Sequence, residues 1–442
     1  MRKNKVDIIT LGCSKNLVDS ELLMRQFTAN GFSVAHDAEK TGGEIVVVNT
    51  CGFIESAREE SINMILRLGE AKKSKQVRKL FVMGCLSERY KKELEKLIPE
   101  VDKFYGKFNW KELLSDLGKP YHTELSSERT LTTPAHYAYV KIAEGCDRKC
   151  SYCSIPLITG KYRSRSMEEI ETEVRSLASR GVKEFQLIAQ DLTYYGLDIY
   201  KKSGIAELTD RLSDIPGVEW IRLHYAYPAQ FPLDLLKVMR EKDNVCKYLD
   251  IALQHSSDAM LKKMRRHITR AETVELLQTV RREVPGIHLR TTMMVGHPGE
   301  TDADFADMSD FIRKMRFERL GAFTYSAEEG TYSHRNYKDN IPPEIKNKRI
   351  DELMSLQEQI AHEINENKTG QTLKVIIDRE ESGFYIGRTE YDSPEVDPEV
   401  LMEKTQKAVA GEFYHVKITG TQSFDLLGKF NTGGGSRVKG KR

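Results

Sequence analysis

The stretch EGCDRKCSYCSIP, Glu144 to Pro156, decides how the chain is read. It carries Cys146, Cys150 and Cys153 in a Cys-x3-Cys-x2-Cys spacing. Cysteine thiolate is the usual protein ligand of iron–sulfur clusters, and three thiolates on one short loop reach three corners of a four-iron cube. One iron is then left open, and an open position separates a catalytic metal site from a closed structural one. The rival reading is structural zinc. That would need a fourth Cys or His nearby and paired ligand spacing, and no His follows within the loop.

Upstream, residues 1–120 alternate strand-like and helical runs. VDIITLGC, EIVVVNTCGF and KLFVMGCLS read as strands, with periodic helical segments after each. Such alternation predicts a parallel sheet with helices on its faces. Cys13, Cys51 and Cys85 each stand just after an apolar run, beside Gly12, Gly52 and Gly84. The C-terminal strand ends of an open parallel sheet share one edge. The three thiols are therefore expected to converge there and hold a second, auxiliary cluster. The alternative is three buried free cysteines, each packing as a small hydrophobe.

Downstream, residues 120–136 hold Pro120 and Pro134 and read as a linker. The alternation then resumes over 136–368, with strand-like runs at AYVKIAEGC, EFQLIAQD, EWIRLHYAYP, KYLDIALQH, IHLRTTMMVGHPGE and RLGAFTYS. A full eight-unit βα barrel takes about 250 residues, so six units predict a partial barrel, with its site at the C-terminal strand ends. Gln190, Asp191, His224, Gln254, His255 and the VGHPGE turn fall at that mouth. Polar residues at strand ends are most often caps or turns. Arg163–Ser166 reads as a helix cap, His297 as a satisfied loop histidine and Cys246 as structural. The charged amphipathic run after Pro342–Pro343 reads as a connector helix. From Gln371 short strands with glycine turns predict a small β-barrel over 369–431. The glycine-rich basic tail, 432–442, is expected to be disordered.

The 442 residues carry a net charge of +2 and are 39% hydrophobic, so the chain as a whole is no obvious nucleic-acid binder. No apolar run approaches the ~20 residues of a membrane span, and the N-terminus lacks a signal-peptide cleavage pattern. Seven scattered cysteines suit a reducing compartment and metal binding better than a disulfide framework. A cytoplasmic location is the expectation.

The first triad's spacing resembles the signature of the radical S-adenosylmethionine enzymes, in which the open iron chelates the methionine part of the cofactor. Tyr152 stands where that family has an aromatic next to the last cysteine. The VGHPGE glycines resemble its cofactor-contacting turn near the adenine. Tyr152, Gln190 and Gly296 are accordingly the candidate cofactor contacts. With two cysteine triads, a partial barrel and a terminal β-barrel that is similar to the TRAM domain, everything except the tail resembles the methylthiotransferases. LGCSKNLVDSE, Leu11 to Glu21, and EGCDRKCSYCSIP look like the ribosomal-protein branch; the tRNA branch typically has Gln-Met-Asn after its first cysteine.

The resemblance implies two 4Fe–4S clusters and S-adenosylmethionine. Cys146, Cys150 and Cys153 would hold the radical cluster, and Cys13, Cys51 and Cys85 the sulfur-carrying one. It also implies an electron donor such as a flavodoxin or ferredoxin, and a sulfur donor. The implied reaction is methylthiolation of the β-carbon of an aspartate on the twelfth protein of the small ribosomal subunit. The alternatives are a tRNA adenosine methylthiotransferase and a non-catalytic iron–sulfur sensor or carrier. Gln371–Phe430 holds seven Lys and Arg against eleven Asp and Glu, a balance of −4. That acidity suits a basic protein partner better than RNA. It makes Asp378, Glu380, Glu381, Glu395, Asp397 and Glu399 candidate substrate contacts.

Overall fold

Three β assemblies follow one another along the chain, and each begins where its apolar pattern does. The computed structural model describes residues 2–38 and 42–431; the tail, 432–442, lies outside the described residues. The first assembly is a five-stranded sheet of β1 (Arg2–Thr10), β2 (Ser33–His36), β3 (Gly43–Thr50), β4 (Lys79–Gly84) and β5 (Lys103–Phe104). Every pair is parallel and the order is β2-β1-β3-β4-β5. β2 and β5 were not read from the sequence: at four and two residues they are too short to show a period. Helices α1 (Ser14–Ala29), α2 (Glu55–Lys73) and α3 (Cys85–Leu97) cover the faces. The central strands are buried on both sides, which explains the unbroken apolar runs Val46–Val48 and Leu80–Met83.

The second assembly opens with β6 (Tyr137–Lys141). After the two-residue pair β7 (Ala143–Glu144) and β8 (Arg163–Ser164) come β9 (Glu184–Ile188), β10 (Trp220–Ala226), β11 (Val245–Gln254), β12 (His288–Val295) and β13 (Arg319–Thr324). The six long strands run parallel in sequence order from β6 to β13. This is the expected partial barrel. Alternate residues such as Ala138, Val140, Phe185, Leu187, Ile221 and Leu223 join the core beneath the surrounding helices. The residues between them, including Tyr139, Glu184, Gln186, Arg222 and His224, face the other way into the lumen. The connector helix, Pro343–Glu366, packs on β13 and buries Leu353, Gln357 and Ile360.

The third assembly is a closed five-stranded barrel: β14 (Thr372–Glu381), β15 (Phe384–Thr389), β16 (Val400–Glu403), β17 (Phe413–Gln422) and β18 (Asp425–Phe430). Its Ile376 and Phe413 pack on Trp220, Cys246 and Tyr248 of the partial barrel, so Cys246 is a core residue, as its sequence suggested. The loop after β15 enters the lumen. Tyr137 and Tyr139 donate to the Glu395 carboxylate at 3.0 Å each, and Tyr248 donates to Asp397 at 2.7 Å. Arg319 holds Asp392 at 2.5 Å, and Arg388 holds Glu184 at 2.8 Å and Asp378 at 2.6 Å.

This corrects the charge reading. Asp378, Glu395 and Asp397 do not offer themselves to a partner protein; they bind the chain's own barrel. Glu380 pairs with Lys404, and Glu381 and Glu399 with Arg379. Part of the acidity of 371–430 answers the barrel lumen it meets, where Arg290 pairs with Asp397 and Arg319 with Asp392. The residues read as a linker are likewise strapped down: buried Arg129 bonds Glu21 of α1 at 3.0 Å and Glu173 at 2.9 Å.

Candidate functional site

β1, β3 and β4 lie side by side, so the residues after them share one sheet edge. Cys13 caps the start of α1, Cys51 follows β3 directly, and Cys85 opens α3. The order of connection reverses between β1 and β3, because β2 lies on the far side of β1. Crevices of this kind are where open α/β sheets take ligands. The glycines make room. Gly12 has φ +97°, and a Cβ there would stand 2.6 Å from Cys51 Cβ and 2.8 Å from its sulfur. A Cβ on Gly52 would stand 2.7 Å from the backbone of Leu86. Asn16 braces the crevice, donating to the carbonyls of Leu11 and Thr50 at 3.0 Å and accepting from Cys85 Sγ at 3.5 Å. Burial raises the Cys51 thiol and pushes Cys85 up to about 12, with Cys13 adding to both shifts.

The second triad follows β7 at the mouth of the partial barrel. Gly145, φ +84°, is required because a Cβ would strike the Lys161 carbonyl. Burial pushes Cys146 up to about 12 and raises Cys153 further. Arg266 Nη1 lies 3.3 Å from Cys150 Sγ and 3.4 Å from Tyr152 Oη. Behind the loop, Ser333 donates to Ser151 Oγ at 2.8 Å and pairs with His297 Nε2 at 3.0 Å. Burial lowers His297 to about 4, so it is neutral near pH 7 and braces the cysteine loop, in line with its reading as a satisfied histidine.

Of the candidate cofactor contacts, Tyr152 packs with Met260, Met264, Met294 and Tyr325 at the strand ends. Gln190 donates to Glu144 at 2.6 Å, while its Oε1 is buried with no protein partner. Gly296, φ +75°, packs against the Lys346 stem, and its N–H donates to Glu300 at 2.8 Å. Gln254 Oε1 and Arg266 Nε are also buried and unpartnered near this mouth. Such orphaned polar atoms suit a polar cofactor. Other mouth residues are satisfied within the protein: Asp191 binds Arg148 at 2.7 Å, and His224 binds Gln186 at 2.6 Å inside the lumen. His255 is buried with its Nε2 3.6 Å from Glu300. Ser166 caps its helix, accepting from Glu169 N at 3.3 Å.

Residues adjoining both triads line one cleft of about 750 Å³. Phe53, Ile54 and Arg58 come from the sheet side; Tyr152, Met294, Phe323 and Tyr325 come from the barrel. Two ion pairs join its walls: Glu328 of the barrel accepts from Arg58 and, at 2.9 Å, from Arg89. Sequence reading missed Lys107, Arg266 and Glu328, which lie far from either triad along the chain, and gave no role to Asn16, which stands three residues after Cys13. Among the described residues no three His, Cys, Asp or Glu side chains gather around a single-ion site. Ligands of a cube stand further apart, because each binds a different iron. Each site thus presents three thiols in a glycine-lined recess, a donor set suited to an iron–sulfur cluster.

The fold and site define a radical S-adenosylmethionine enzyme with two appended modules. Family models agree: "Radical SAM superfamily" over residues 140–312, "Uncharacterized protein family UPF0004" over 5–106 and "TRAM domain" over 369–430. The fold is similar to a radical S-adenosylmethionine methyltransferase, TsrM, from Kitasatospora setae, with TM-score 0.52 and 14% identity over 93% of this chain and 84% of that one. The chain belongs to the family named ribosomal protein uS12 methylthiotransferase RimO. It is 68% identical to the Parabacteroides distasonis protein of that name over 97% of this chain and 99% of that one. With the Phocaeicola vulgatus protein of the same name it shares 64% identity, over 96% and 99%.

Proposed function

We infer that this chain methylthiolates ribosomal protein uS12, at the β-carbon of an aspartate, in the cytoplasm. The observation that carries the reading is the pair of cysteine triads whose neighbours line one cleft, in a chain so close to the uS12 enzymes along its whole length. The active unit divides, on this reading, into 1–120, 136–368 and 369–431. Cys146, Cys150 and Cys153 hold the radical cluster, and Cys13, Cys51 and Cys85 hold the auxiliary one. Tyr152, Gln190 and Gly296 face S-adenosylmethionine. An electron donor such as a flavodoxin or ferredoxin and a separate sulfur donor complete the system.

When bound, the clusters and S-adenosylmethionine supply hydrogen abstraction, sulfur and the methyl group. The chain's own part is placement and shielding. Burial keeps the Cys51, Cys85, Cys146 and Cys153 thiols protonated in the absence of metal, so cluster loading would release acid. Arg266 sets a guanidinium against Cys150, and the His297–Ser333–Ser151 contacts fix the loop that carries the triad. Phe53, Ile54, Met294 and Phe323 give the cleft apolar walls that hold water back from a reactive carbon.

The test is intact mass of uS12, and of bulk tRNA, from a strain lacking this chain and from that strain complemented. The expected result is loss of one methylthio group from uS12 alone, restored by the wild-type gene and not by Cys13→Ala or Cys146→Ala. Loss from tRNA with uS12 unchanged would favour the tRNA enzyme.

A further inference from the structure

Two basic runs, KKMRRH over Lys262–His267 and HRNYK over His334–Lys338, stand far apart in sequence and meet over the loop that carries the second triad. Ser151, between Cys150 and Cys153, ties to the neighbours of both. Its N–H donates to the Met264 carbonyl at 2.9 Å, and its carbonyl accepts from the Ser333 N–H at 2.7 Å. Arg266 is buried against Cys150. Its neighbour Arg265 lies instead 3.4 Å over the ring of Tyr332. Tyr332 meets Tyr337 edge to face at 5.8 Å, and Lys263 lies 4.9 Å over Tyr337. On the other flank, a Cβ on Gly330 would stand 3.3 Å from Leu157 Cδ1 and 3.8 Å from Arg335 Nη2. Leu157 belongs to the short helix Ile155–Thr159 that follows Cys153.

These contacts join into one surface patch beside the triad. Leu157 is 50% exposed and Tyr332 38%, so its centre is apolar and aromatic. Its rim is cationic. Among the described residues Lys149, Lys262, Lys263, Arg265, Arg335 and Lys338 form no ion pair. Glu329 is an exposed acid at the border, while Asp339 is already taken by Lys346. A single unpaired surface cation is ordinary; several around one exposed apolar centre set up a positive field that draws an acidic partner. None of these residues lines the cleft between the triads, so the patch is a second approach to the cysteine loop.

We propose that this patch is the docking surface of an acidic electron-carrier protein that reduces the cluster of Cys146, Cys150 and Cys153. The carrier loses one electron and the cluster gains it; no bond forms or breaks. Brief electron-transfer encounters bury little area and draw their speed from charge, which an apolar centre with a cationic rim supplies. RNA would meet the same cations, but the patch borders the cysteine loop and shares no residue with the substrate cleft. The inference rests on the reading that this triad holds the radical cluster. Dithionite tests that reading separately: no S-adenosylmethionine cleavage by wild type with this small reductant would refute the reading, and the proposal with it.

The test compares fully loaded wild type with the Arg265→Glu/Arg335→Glu double variant. Each is driven by dithionite, by a reduced flavodoxin or by a reduced low-potential ferredoxin, and 5′-deoxyadenosine is measured. The variant should keep its dithionite-driven cleavage, while its KM for the carrier that serves wild type rises on the order of tenfold. Association of the oxidised carrier with the full chain should weaken with salt in wild type, and should be weak at every salt concentration in the variant. An unchanged carrier KM, an equal fall with dithionite and carrier, or a wild type served by neither carrier would overturn the proposal. Should the variant fail to load, Lys262→Glu/Lys338→Glu at the exposed rim should raise the carrier KM in the same direction, and no rise there would equally overturn it. Loss of uS12 methylthiolation in whole small ribosomal subunits, with the carrier KM unchanged, would give the patch to RNA instead.

Discussion

Gly12 shows how tightly single residues constrain the crevice at Cys13, Cys51 and Cys85. Its positive φ suits glycine alone, and any side chain would meet the Cys51 sulfur. Gly12→Ala should therefore lower bound iron by about half, leaving the radical cluster's share. Iron assay together with S-adenosylmethionine cleavage checks this: cleavage should persist. Full iron in the variant would mean that the crevice relaxes more than its close contact with the Cys51 side chain suggests. Glycine beside each cysteine was legible in the sequence. The residues that brace the cysteines were not. Asn16 and Arg266 carry ordinary helix and loop signals, and only the packing brings them to sulfur.

At the scale of elements, the segment from β14 through the loop after β15 meets the partial barrel through a set of buried ion pairs. Glu184 is fully buried between Arg222 and Arg388. Glu184→Gln would leave two buried guanidiniums short of their carboxylate. Removing one partner of a buried pair costs about 3–5 kcal/mol, so chemical denaturation should show a loss of that order. Asp378 and Asp392 give the contact a pH dependence. Burial acts to raise both, but Arg388 and Arg319 outweigh it and hold each carboxyl at about 2. A carboxyl lowered in the folded state stabilises it above the unfolded value of about 3.9. That stability is lost as pH falls from there through about 2. Stability measured from pH 5 to 2 should fall less steeply in Asp378→Asn than in wild type. An identical slope would show that this carboxyl is not linked to the fold.

Across the whole molecule, the N-terminal sheet unit meets the barrel through several ion pairs, and Glu328 takes part in two of them. It takes Arg58 of α2 and Arg89 of α3, and Arg89 also reaches the Glu329 carbonyl. Glu328→Gln should loosen the closure of the cleft without touching either triad. The expected outcome is uncoupling: S-adenosylmethionine cleavage continues while methylthiolation per cleavage falls. Misplacement by about 1 Å can cost on the order of 100-fold in rate. Comparing 5′-deoxyadenosine with methylthiolated uS12 in one reaction measures it, and an unchanged ratio would remove Glu328 from the alignment.

The sequence by itself determined the six cysteines, the alternation of strand and helix, the partial barrel and the closing β-barrel. Each of these is written in local periodicity and spacing, which one stretch of chain carries alone. It did not determine what the acids of 371–430 do. A carboxylate that pairs with Arg290 or Arg319 reads no differently, in sequence, from one that faces water. Nor could it show that β2 passes to the far side of β1, so that Cys13, Cys51 and Cys85 follow three adjacent strands. Lys107, Asp19, Lys141 and Glu144 are scattered over more than a hundred residues of chain, and only the docking of sheet on barrel makes them one buried set. Charges interact through space, and the distances between them belong to the tertiary structure.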